Sequence, residues 1–397
     1  MAALLTFDEA LREVLARVQP VATERVSLTE AAGRVLAEDA RAAVDLPPFP
    51  SSAMDGFAVR AADTPGTLPV VFRIAAGRPA TQQLGPGEAM AIATGGVVPD
   101  GADAVIPIEY VVEHDNSVQI AEAVSVDLHV RPRGGDLAAG DVVVPAGTIL
   151  RPAELGALAA AGVRDAVCAM RPRAAVVSTG TELRSPGESL EPGQIYEANG
   201  AMLAAALASA GAMVIPVASA ADDEGAHRSA LERGLRADLL VTSGGVSVGP
   251  HDLVRKIEAE LGVEEVFWKV AVKPGKPLSF GVRDRTLVFG LPGNPVSSLV
   301  CFELFVRPAV LALQGAREPG PEFRPGALAV PVRRNPERDE FLRARVRVDE
   351  GRVVLEPLTG QESHMIARAA AADALVLAPR GEGELAAGTA ASYLPLR

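Results

Sequence analysis

The chain has little of what disulfide-stabilised or nucleic-acid-binding proteins need. Only two of its 397 residues are cysteines, Cys168 and Cys301, and they form no CxxC pair. This argues against a disulfide framework and against a thiolate metal site. The net charge of −12 argues against non-specific nucleic-acid binding, which depends on a basic surface. We therefore expect no nucleic-acid partner.

The N-terminus lacks the basic segment of a signal peptide, since MAALLTFDEALREVL carries acidic residues early. One stretch without charge, residues 200–221, is long enough to cross a membrane. It is rich in alanine and is interrupted by Gly211 and Pro216, so we interpret it as a buried helix followed by a strand. We expect a cytoplasmic protein without membrane contact.

What the chain does have is apolar sequence for several domains. Hydrophobic residues make up 48%, aromatics only 4%, and there are 38 glycines and 31 prolines. Such a composition is typical of α/β layers joined by many turns. A helix is predicted over residues 6–18, where Thr6 and Glu9 fit a capping box, and a second near 27–36.

The pattern of predicted elements changes along the chain. Short apolar segments separated by Gly/Pro turns predict a β-rich module over residues 57–140, followed by a short helix near 152–161. After Arg173, strands alternate with helices, which predicts a parallel α/β sheet. The last segment, from about 319, is β-rich again. Within it Arg343, Arg345 and Arg347 alternate, and we interpret them as the solvated face of a strand.

Two Gly-rich loops follow predicted strands in the α/β region: VVSTGTEL (176–183) and VTSGGVSVGPHD (241–252). Glycines let backbone amides approach an anion, and a following helix N-terminus favours negative charge. Neither loop is a Walker motif, and simple tight turns are the alternative interpretation. The candidate ligand-binding residues in these loops are Ser178, Thr179, Gly180, Ser243, Gly244 and Gly245.

Carboxylates lie beside these loops: Glu182, Asp222 and Asp252. The five histidines are scattered, so oxygen ligands and a hard cation such as Mg²⁺ are the better match for a metal site. Asp222 and Asp252 also fit helix N-caps, which leaves a structural role open for both.

Two further segments suggest an oxyanion pocket. WKVAVKPGKPLSF places Lys269, Lys273 and Lys276 in an extended stretch, although lysines on a solvated surface remain the alternative. GLPGNPVSS forms a rigid turn that begins a helix with free amides. Its candidate residues are Pro292, Gly293, Asn294 and Pro295.

Together these segments resemble the molybdopterin molybdenumtransferase (MoeA) family along nearly the whole chain. The family's motifs occur in order: LPPFPSSAMDGFAVR, ATGGVVPDGADAVI, RPRGGDLAAGDVVVPAG, VVSTGTEL, QIYEAN, TSGGVSVGPHD, WKVAVKPGKP and GLPGNPVSS. Thr181 departs from the pattern, because family members often have an acidic residue there.

The resemblance implies a multidomain α/β fold, with a central parallel-sheet molybdopterin-binding domain, β-rich N-terminal modules and a C-terminal β-barrel-like domain. The implied domains are 23–41 plus 141–170 (an elongated linking domain), 42–140 (β-rich), 1–22 plus 171–318 (molybdopterin-binding) and 319–397 (C-terminal). It also implies a homodimer and contacts with the upstream and downstream proteins of cofactor biosynthesis.

The reaction that the resemblance implies is ligation of molybdate to the dithiolene of adenylylated molybdopterin, with release of AMP and participation of Mg²⁺. It assigns catalysis to Asp55, Thr94, Asp136, Lys273 and Lys276, substrate binding to Lys269 and the loop residues above, and Mg²⁺ binding to Glu182, Asp222 and Asp252. Asp55, Thr94 and Asp136 lie outside the α/β region and would complete the partner subunit's site. An adenylyltransferase, a preference for tungstate and a non-catalytic scaffold remain alternatives.

Overall fold

The computed structural model describes residues 4–215, 224–244 and 253–396 of the chain. Its buried hydrophobic residues form several separate clusters. The domain boundaries stay a prediction, and we use them only to name four units. These are the linking unit (23–41 and 141–170), the β-rich unit (42–140), the α/β unit (4–22 and 171–318) and the C-terminal barrel (319–396).

The N-terminal helix, Phe7–Leu15, begins at the predicted capping box. The Thr6 hydroxyl accepts a hydrogen bond from the Glu9 amide at 3.2 Å, and the Glu9 carboxylate accepts one from the Thr6 amide at 2.8 Å. These bonds satisfy amides that the first helical turn leaves without partners. Phe7, Ala10 and Val14 are buried in the core of the α/β unit. The helix therefore packs against the helical segment 302–313, from much later in the chain.

The linking unit joins segments that are distant in sequence. The predicted helix near 152–161 is confirmed as Pro152–Ala160. It packs with two antiparallel strand pairs, Thr23–Ser27 with Asp165–Ala169 and Ala40–Arg41 with Val142–Val144.

The helix predicted near residues 27–36 is wrong. The strand Thr23–Ser27 ends in a turn, and Gly33 adopts a positive φ of 72°. Val35 then forms an isolated β-bridge with Ile149 from the second half of the unit. Tertiary pairing overrides the helical spacing of the sequence, since intrinsic propensity is only a weak bias.

The β-rich unit predicted over 57–140 is confirmed as a six-stranded mixed sheet. Gly56 begins one of its strands, directly after Asp55. A Cβ atom at this position would lie 1.9 Å from the carbonyl oxygen of Ile106 on the neighbouring strand, so the close approach requires glycine. In spatial order the strands are Ala104–Pro107, Gly56–Val59, Ala89–Ile92, Gly66–Ile74, Ser117–Ile120 and Val111–His114, with a separate pair, Ser51–Ser52 and Val130–Arg131, and short 3₁₀ turns at Ala61–Asp63 and Ile108–Tyr110.

The α/β unit is built on a second six-stranded sheet. Its spatial order is Met213–Ile215, Arg173–Ser178, Leu239–Ser243, Thr286–Leu291, Ser279–Arg283 and Glu264–Trp268. The first four strands are parallel, as predicted, and the last two are antiparallel to their neighbours. Only Asp284 and Arg285 separate two adjacent strands, and such a short connection forces a hairpin instead of a crossover.

Helices flank this sheet on both faces. The charge-free stretch at 200–221 forms helix Asn199–Ser209 and strand Met213–Ile215 as predicted, and its last six residues lie outside the described ranges. The remaining helices are Glu224–Gly234, Leu253–Glu260, Pro295–Cys301 and Arg307–Leu313, with a π-helical segment at Phe302–Val306 between the last two.

The continuous helical segment Pro295–Leu313 is long and apolar enough to cross a membrane, but 78% of its apolar window is buried inside the protein. It supplies Val300, Phe302 and Phe305 to the largest core. The segment therefore forms the core of the α/β unit.

The C-terminal segment closes into a five-stranded barrel, which confirms the predicted architecture. Strand Asp339–Asp349 pairs on both sides and closes the ring. Strand Val272–Lys273 of the α/β unit pairs with the first two residues of strand Asp339–Asp349. The other barrel strands are Arg352–Pro357, Arg324–Leu328, Ala390–Pro395 and Ala374–Ala378, accompanied by the pair Val332–Arg333 and Glu384–Leu385 and the short helix Ile366–Ala369.

The interpretation of Arg343 as part of a solvated face is wrong, although the strand itself is confirmed. The side chain is only 1% exposed, whereas Arg345 and Arg347 are exposed. Its guanidinium donates hydrogen bonds to the carbonyl oxygens of Met365 and Gly360, both at 2.8 Å. Removal from water lowers the pKa of Arg343 below its ordinary value.

Candidate functional site

A cavity of about 740 Å³ lies at the carboxyl ends of three parallel strands of the α/β unit: Arg173–Ser178, Leu239–Ser243 and Thr286–Leu291. This edge is where open α/β sheets bind ligands. The cavity brings together ten residues predicted from sequence: Ser178, Thr179, Gly180, Glu182, Ser243, Gly244, Pro292, Gly293, Asn294 and Pro295. Three others, Gly245, Asp222 and Asp252, lie outside the described residues.

The two Gly-rich loops bond to each other and to the next strand. The Thr179 amide donates to the carbonyl oxygen of Ser243 at 3.1 Å, and the Gly244 amide donates to that of Leu291 at 3.2 Å. Gly244 has a φ of 91°, and a Cβ atom there would lie 2.8 Å from the carbonyl oxygen of Thr179. The loops are packed too closely for a side chain at this position.

Glu182 is an exposed carboxylate at the cavity wall, folded back over its own loop. A Cβ atom at Gly180 would lie 2.7–2.8 Å from the two carboxylate oxygens of Glu182. Glycine at 180 therefore leaves room for this carboxylate.

Glu197 is a cavity residue that sequence reasoning missed. Its carboxylate accepts a hydrogen bond from the Gly200 amide at 2.7 Å and from the Ser178 hydroxyl at 3.0 Å. A carboxylate thus already holds the N-terminus of helix Asn199–Ser209, where an anionic ligand was expected. The signal was present in the QIYEAN motif, as an acidic residue at a helix start.

Asn199 is the second residue that sequence reasoning missed. It is 9% exposed, and its side-chain amide donates to the Ser243 hydroxyl and to the carbonyl oxygen of Gly293, both at 2.7 Å. Because a carbonyl can only accept, the contact with Gly293 fixes the orientation of the amide. Its Oδ1 atom is buried and has no hydrogen-bond partner within the described ranges. Asn199 therefore links two of the loops that line the cavity.

One wall of the cavity comes from the C-terminal barrel, through His364. The neighbouring Ser363 attaches this loop to the α/β unit. The Ser363 hydroxyl accepts a hydrogen bond from the side-chain amide of Asn294 at 2.9 Å. The Ser363 carbonyl oxygen accepts one from the Val296 amide at 3.1 Å. The buried Arg343 holds the same loop through the carbonyls described above. The sequence offered no motif from which this contribution could be predicted.

The three predicted lysines are not among the residues that line the cavity, although Pro277, next to Lys276, is. The Lys273 ammonium pairs with the Glu340 carboxylate of the barrel at 2.9 Å. The Lys269 ammonium lies 3.6 Å from the centroid of the Trp268 ring, a cation–π contact. The ion pair between Lys273 and Glu340 therefore connects the α/β unit to the C-terminal barrel.

The predicted residues of the β-rich unit form a separate group. Asp55 accepts a hydrogen bond from the Thr94 amide at 2.7 Å, so these two lie together. The Asp136 amide donates to the carbonyl oxygen of Leu46, in an exposed loop. None of the three is among the described residues that line the cavity.

The donor set of the cavity fits a magnesium ion better than a softer metal. Its acidic side chains are Glu182 and Glu197, and the hydroxyls of Ser178 and Thr179 lie beside them. Mg²⁺ is commonly bound by one or two carboxylates together with phosphate and water oxygens. Within 4–215, 224–244 and 253–396, no group of three or more His, Cys, Asp or Glu side chains forms a complete metal site. Glu182 alone is thus not a complete set of ligands for a metal ion.

Comparison with known families covers most of the chain. Residues 5–162 match the family described as "MoeA N-terminal region (domain I and II)". Residues 175–312 match "Probable molybdopterin binding domain", and residues 325–396 match "MoeA C-terminal region (domain IV)". The second of these contains the cavity's Gly-rich loops.

Two curated relatives are similar over their full lengths. "Molybdopterin molybdenumtransferase 2" of Mycobacterium tuberculosis (strain H37Rv) is 40% identical, and the match covers 96% of each chain. "Molybdopterin molybdenumtransferase" of Haemophilus influenzae is 34% identical, over 99% of this chain and 98% of that one.

Solved structures show the same architecture. The crystal structure of a molybdopterin biosynthesis MoeA protein from Pyrococcus horikoshii OT3 has a TM-score of 0.84 at 28% identity, over 99% of this chain and all of that one. A second MoeA structure from the same organism has a TM-score of 0.79 at 32% identity, over 99% of each chain.

Proposed function

The chain belongs to the molybdopterin molybdenumtransferase (MoeA) family, and from this membership we propose how its cavity serves molybdenum insertion. The protein is a transferase of molybdenum cofactor biosynthesis that inserts molybdenum into molybdopterin. In our proposal it ligates molybdate to the dithiolene of adenylylated molybdopterin, AMP leaves, and the reaction takes place in the cytoplasm. The observation that carries the proposal is the 740 Å³ cavity between the Gly-rich loops of segment 175–312.

The chain's own residues bind and orient the reactants in this proposal. Backbone amides of the Gly-rich loops hold the polar end of the substrate, because the hydroxyl hydrogens of Ser178 and Thr179 already go to Glu197 and to the carbonyl oxygen of Ser243. Glu197 already holds one helix N-terminus, so the phosphate is bound elsewhere along the cavity. The cavity wall supplies neither Lys nor Arg within the described ranges. Lys269, Lys273 and Lys276, on the loop that continues into Pro277, are the proposed cations for molybdate.

Glu182 is the proposed protein ligand of a Mg²⁺ ion, together with Asp222 and Asp252. When bound, the ion would offset negative charge on the phosphate and assist departure of AMP. The residues themselves supply electrostatics and position: an exposed carboxylate beside the loops, and cations at the neighbouring turn. The described part of the chain offers no Ser-His-Asp arrangement at the cavity that would favour covalent catalysis.

The test is conversion of adenylylated molybdopterin by the purified protein with molybdate and Mg²⁺. We expect AMP release that depends on molybdate, no consumption of ATP, and reactivation of a cofactor-free molybdoenzyme. EDTA should abolish turnover, and excess Mg²⁺ should restore it. Full activity in EDTA would remove the metal from the proposal, while binding without turnover would favour a scaffold.

We further propose a homodimer in which Asp55, Thr94 and Asp136 of one subunit complete the cavity of the other. This would explain why a bonded group of predicted catalytic residues lies apart from its own cavity. Closed two-fold dimers are the commonest soluble oligomers and allow such reciprocal sites.

Mixing inactive variants tests the shared site. Asp55→Ala and Lys273→Ala are each expected to lose turnover. Random reassociation of equal amounts should recover about a quarter of wild-type activity, because half of the dimers then carry one intact site out of two. The matched control is Asp55→Ala carried through the same dissociation and reassociation alone, which should recover nothing because every site then lacks Asp55. Mixed dimers detected by mass spectrometry without recovered activity would contradict the arrangement.

A further inference from the structure

Tyr196 is an aromatic side chain of the cavity that the proposed mechanism does not use. It is 46% exposed and lines the cavity beside Ile195, which is 54% exposed. Aromatic residues are only 4% of the chain, and three of them are tyrosines. Among the described residues of the cavity wall, Tyr196 has the only phenol or indole ring. An exposed aromatic ring at a cavity is a common feature of ligand contact.

Backbone hydrogen bonds hold the segment that carries Tyr196. Strand Ile195–Tyr196 pairs in parallel with Leu183–Arg184. The Ile195 amide donates to the carbonyl oxygen of Glu182 at 2.8 Å, and the Glu197 amide donates to that of Arg184 at 2.9 Å. The backbone that carries the ring is therefore hydrogen-bonded to the segment that directly follows the first Gly-rich loop.

The Tyr196 hydroxyl already has a partner. It donates a hydrogen bond to the carbonyl oxygen of Glu188 at 2.9 Å. This bond orients the ring and leaves its face as the surface that can still make a contact. A planar aromatic face attracts other planar π-systems.

We propose that Tyr196 is a stacking platform for the planar heteroaromatic ring of the substrate. The inference rests on the proposed function, in which the substrate carries two such rings, adenine and the pterin. Both present the same chemistry to Tyr196. Ile195 extends the apolar surface at the edge of the platform, while Glu182 and the Gly-rich loops face the phosphate and its cation.

The experiment measures binding of two probes, AMP and unadenylylated molybdopterin, to the full-length protein by titration calorimetry. Tyr196→Ala is expected to weaken binding of one probe about 10-fold or more, in the range found for base–aromatic stacking. Tyr196→Phe keeps the ring and should stay within about threefold of wild type. The matched control is Tyr110→Ala, since Tyr110 is 74% exposed in the β-rich unit and does not line the cavity.

Each outcome assigns or overturns the platform. Loss of AMP affinity identifies adenine as the stacked ring, and loss of molybdopterin affinity identifies the pterin. Unchanged binding of both probes to Tyr196→Ala, or equal losses in the Ala and Phe variants, overturns the platform while the proposed function stands. If wild-type protein binds neither probe, the proposed function and the platform fall together.

Discussion

Replacing Arg343 with methionine is expected to lower the free energy of opening of loop 358–366 by about 3 kcal/mol or more. The guanidinium is buried and donates to carbonyl oxygens of Gly360, Glu362 and Met365. Methionine keeps much of the apolar volume but cannot donate, so these carbonyls lose a charged donor, and water reaches the exposed Glu362 more readily than the half-buried Gly360 and Met365. A hydrogen bond to a charged group contributes about 1.5–3 kcal/mol.

Hydrogen exchange measures this effect locally, which suits a protein of several units whose global unfolding need not be two-state. The Leu358 amide donates to the carbonyl oxygen of Arg343, and the Val296 amide donates to that of Ser363; exchange of both should accelerate about 100-fold or more. Arg345→Met is the matched control on the same strand, because Arg345 is exposed. Its expected effect is within about 0.5 kcal/mol. Equal exchange in the two variants would show that Arg343 does not hold the loop.

Arg343 also shows where sequence reasoning reaches its limit. Alternation of Arg343, Arg345 and Arg347 correctly predicted a strand, because a period of two is a local property. How far along the strand this face is covered depends on loop 358–366, which is not encoded nearby: Arg343 is buried, whereas Arg345 and Arg347 on the same face are exposed. Charge therefore suggested a solvated position for Arg343, whose guanidinium donates to carbonyl oxygens 17–22 residues further along the chain.

The cavity was predicted well where it depends on strand ends and glycine. Ser178, Thr179 and Gly180, and the corresponding residues after the next strands, converge because parallel strands end at the same edge. The helix predicted at 27–36 was wrong for a different reason. The conformation of this segment is set by pairing with residues from the other half of the linking unit. Long-range pairing has no periodic signal in the sequence.

Glu197 and Asn199 were missed for another reason. Both lie in a motif whose resemblance to the family was recognised, but a short polar residue at a helix start is ordinarily an N-cap. Their roles depend on partners at or just after the ends of other strands: Ser178 for Glu197, and Ser243 and Gly293 for Asn199. Only the assembled sheet edge brings these partners together.

Replacing Asn199 with alanine is expected to lower kcat/KM for adenylylated molybdopterin about 100-fold. The change removes the two 2.7 Å hydrogen bonds to Ser243 and Gly293, and the Gly293 carbonyl is left without this donor. The loops that hold the substrate are then free to separate, and small misplacements of a bound substrate cost rates of this size. Steady-state AMP release against substrate concentration gives the value, and the melting temperature reports the loss of stability separately.

Asn199→Asp is a more specific test, because it keeps the number of heavy atoms and replaces only the amide donor by an oxygen. A carboxylate oxygen would face the Gly293 carbonyl, so two acceptors would meet where a donor and an acceptor now bond. We expect Asp to be at least as damaging as Ala, whereas a purely steric role would leave it near wild type. Asn116→Asp is the control, since Asn116 is exposed in the β-rich unit and should tolerate the change. Wild-type kcat/KM in Asn199→Asp would mean that the loops are positioned by their backbone hydrogen bonds alone.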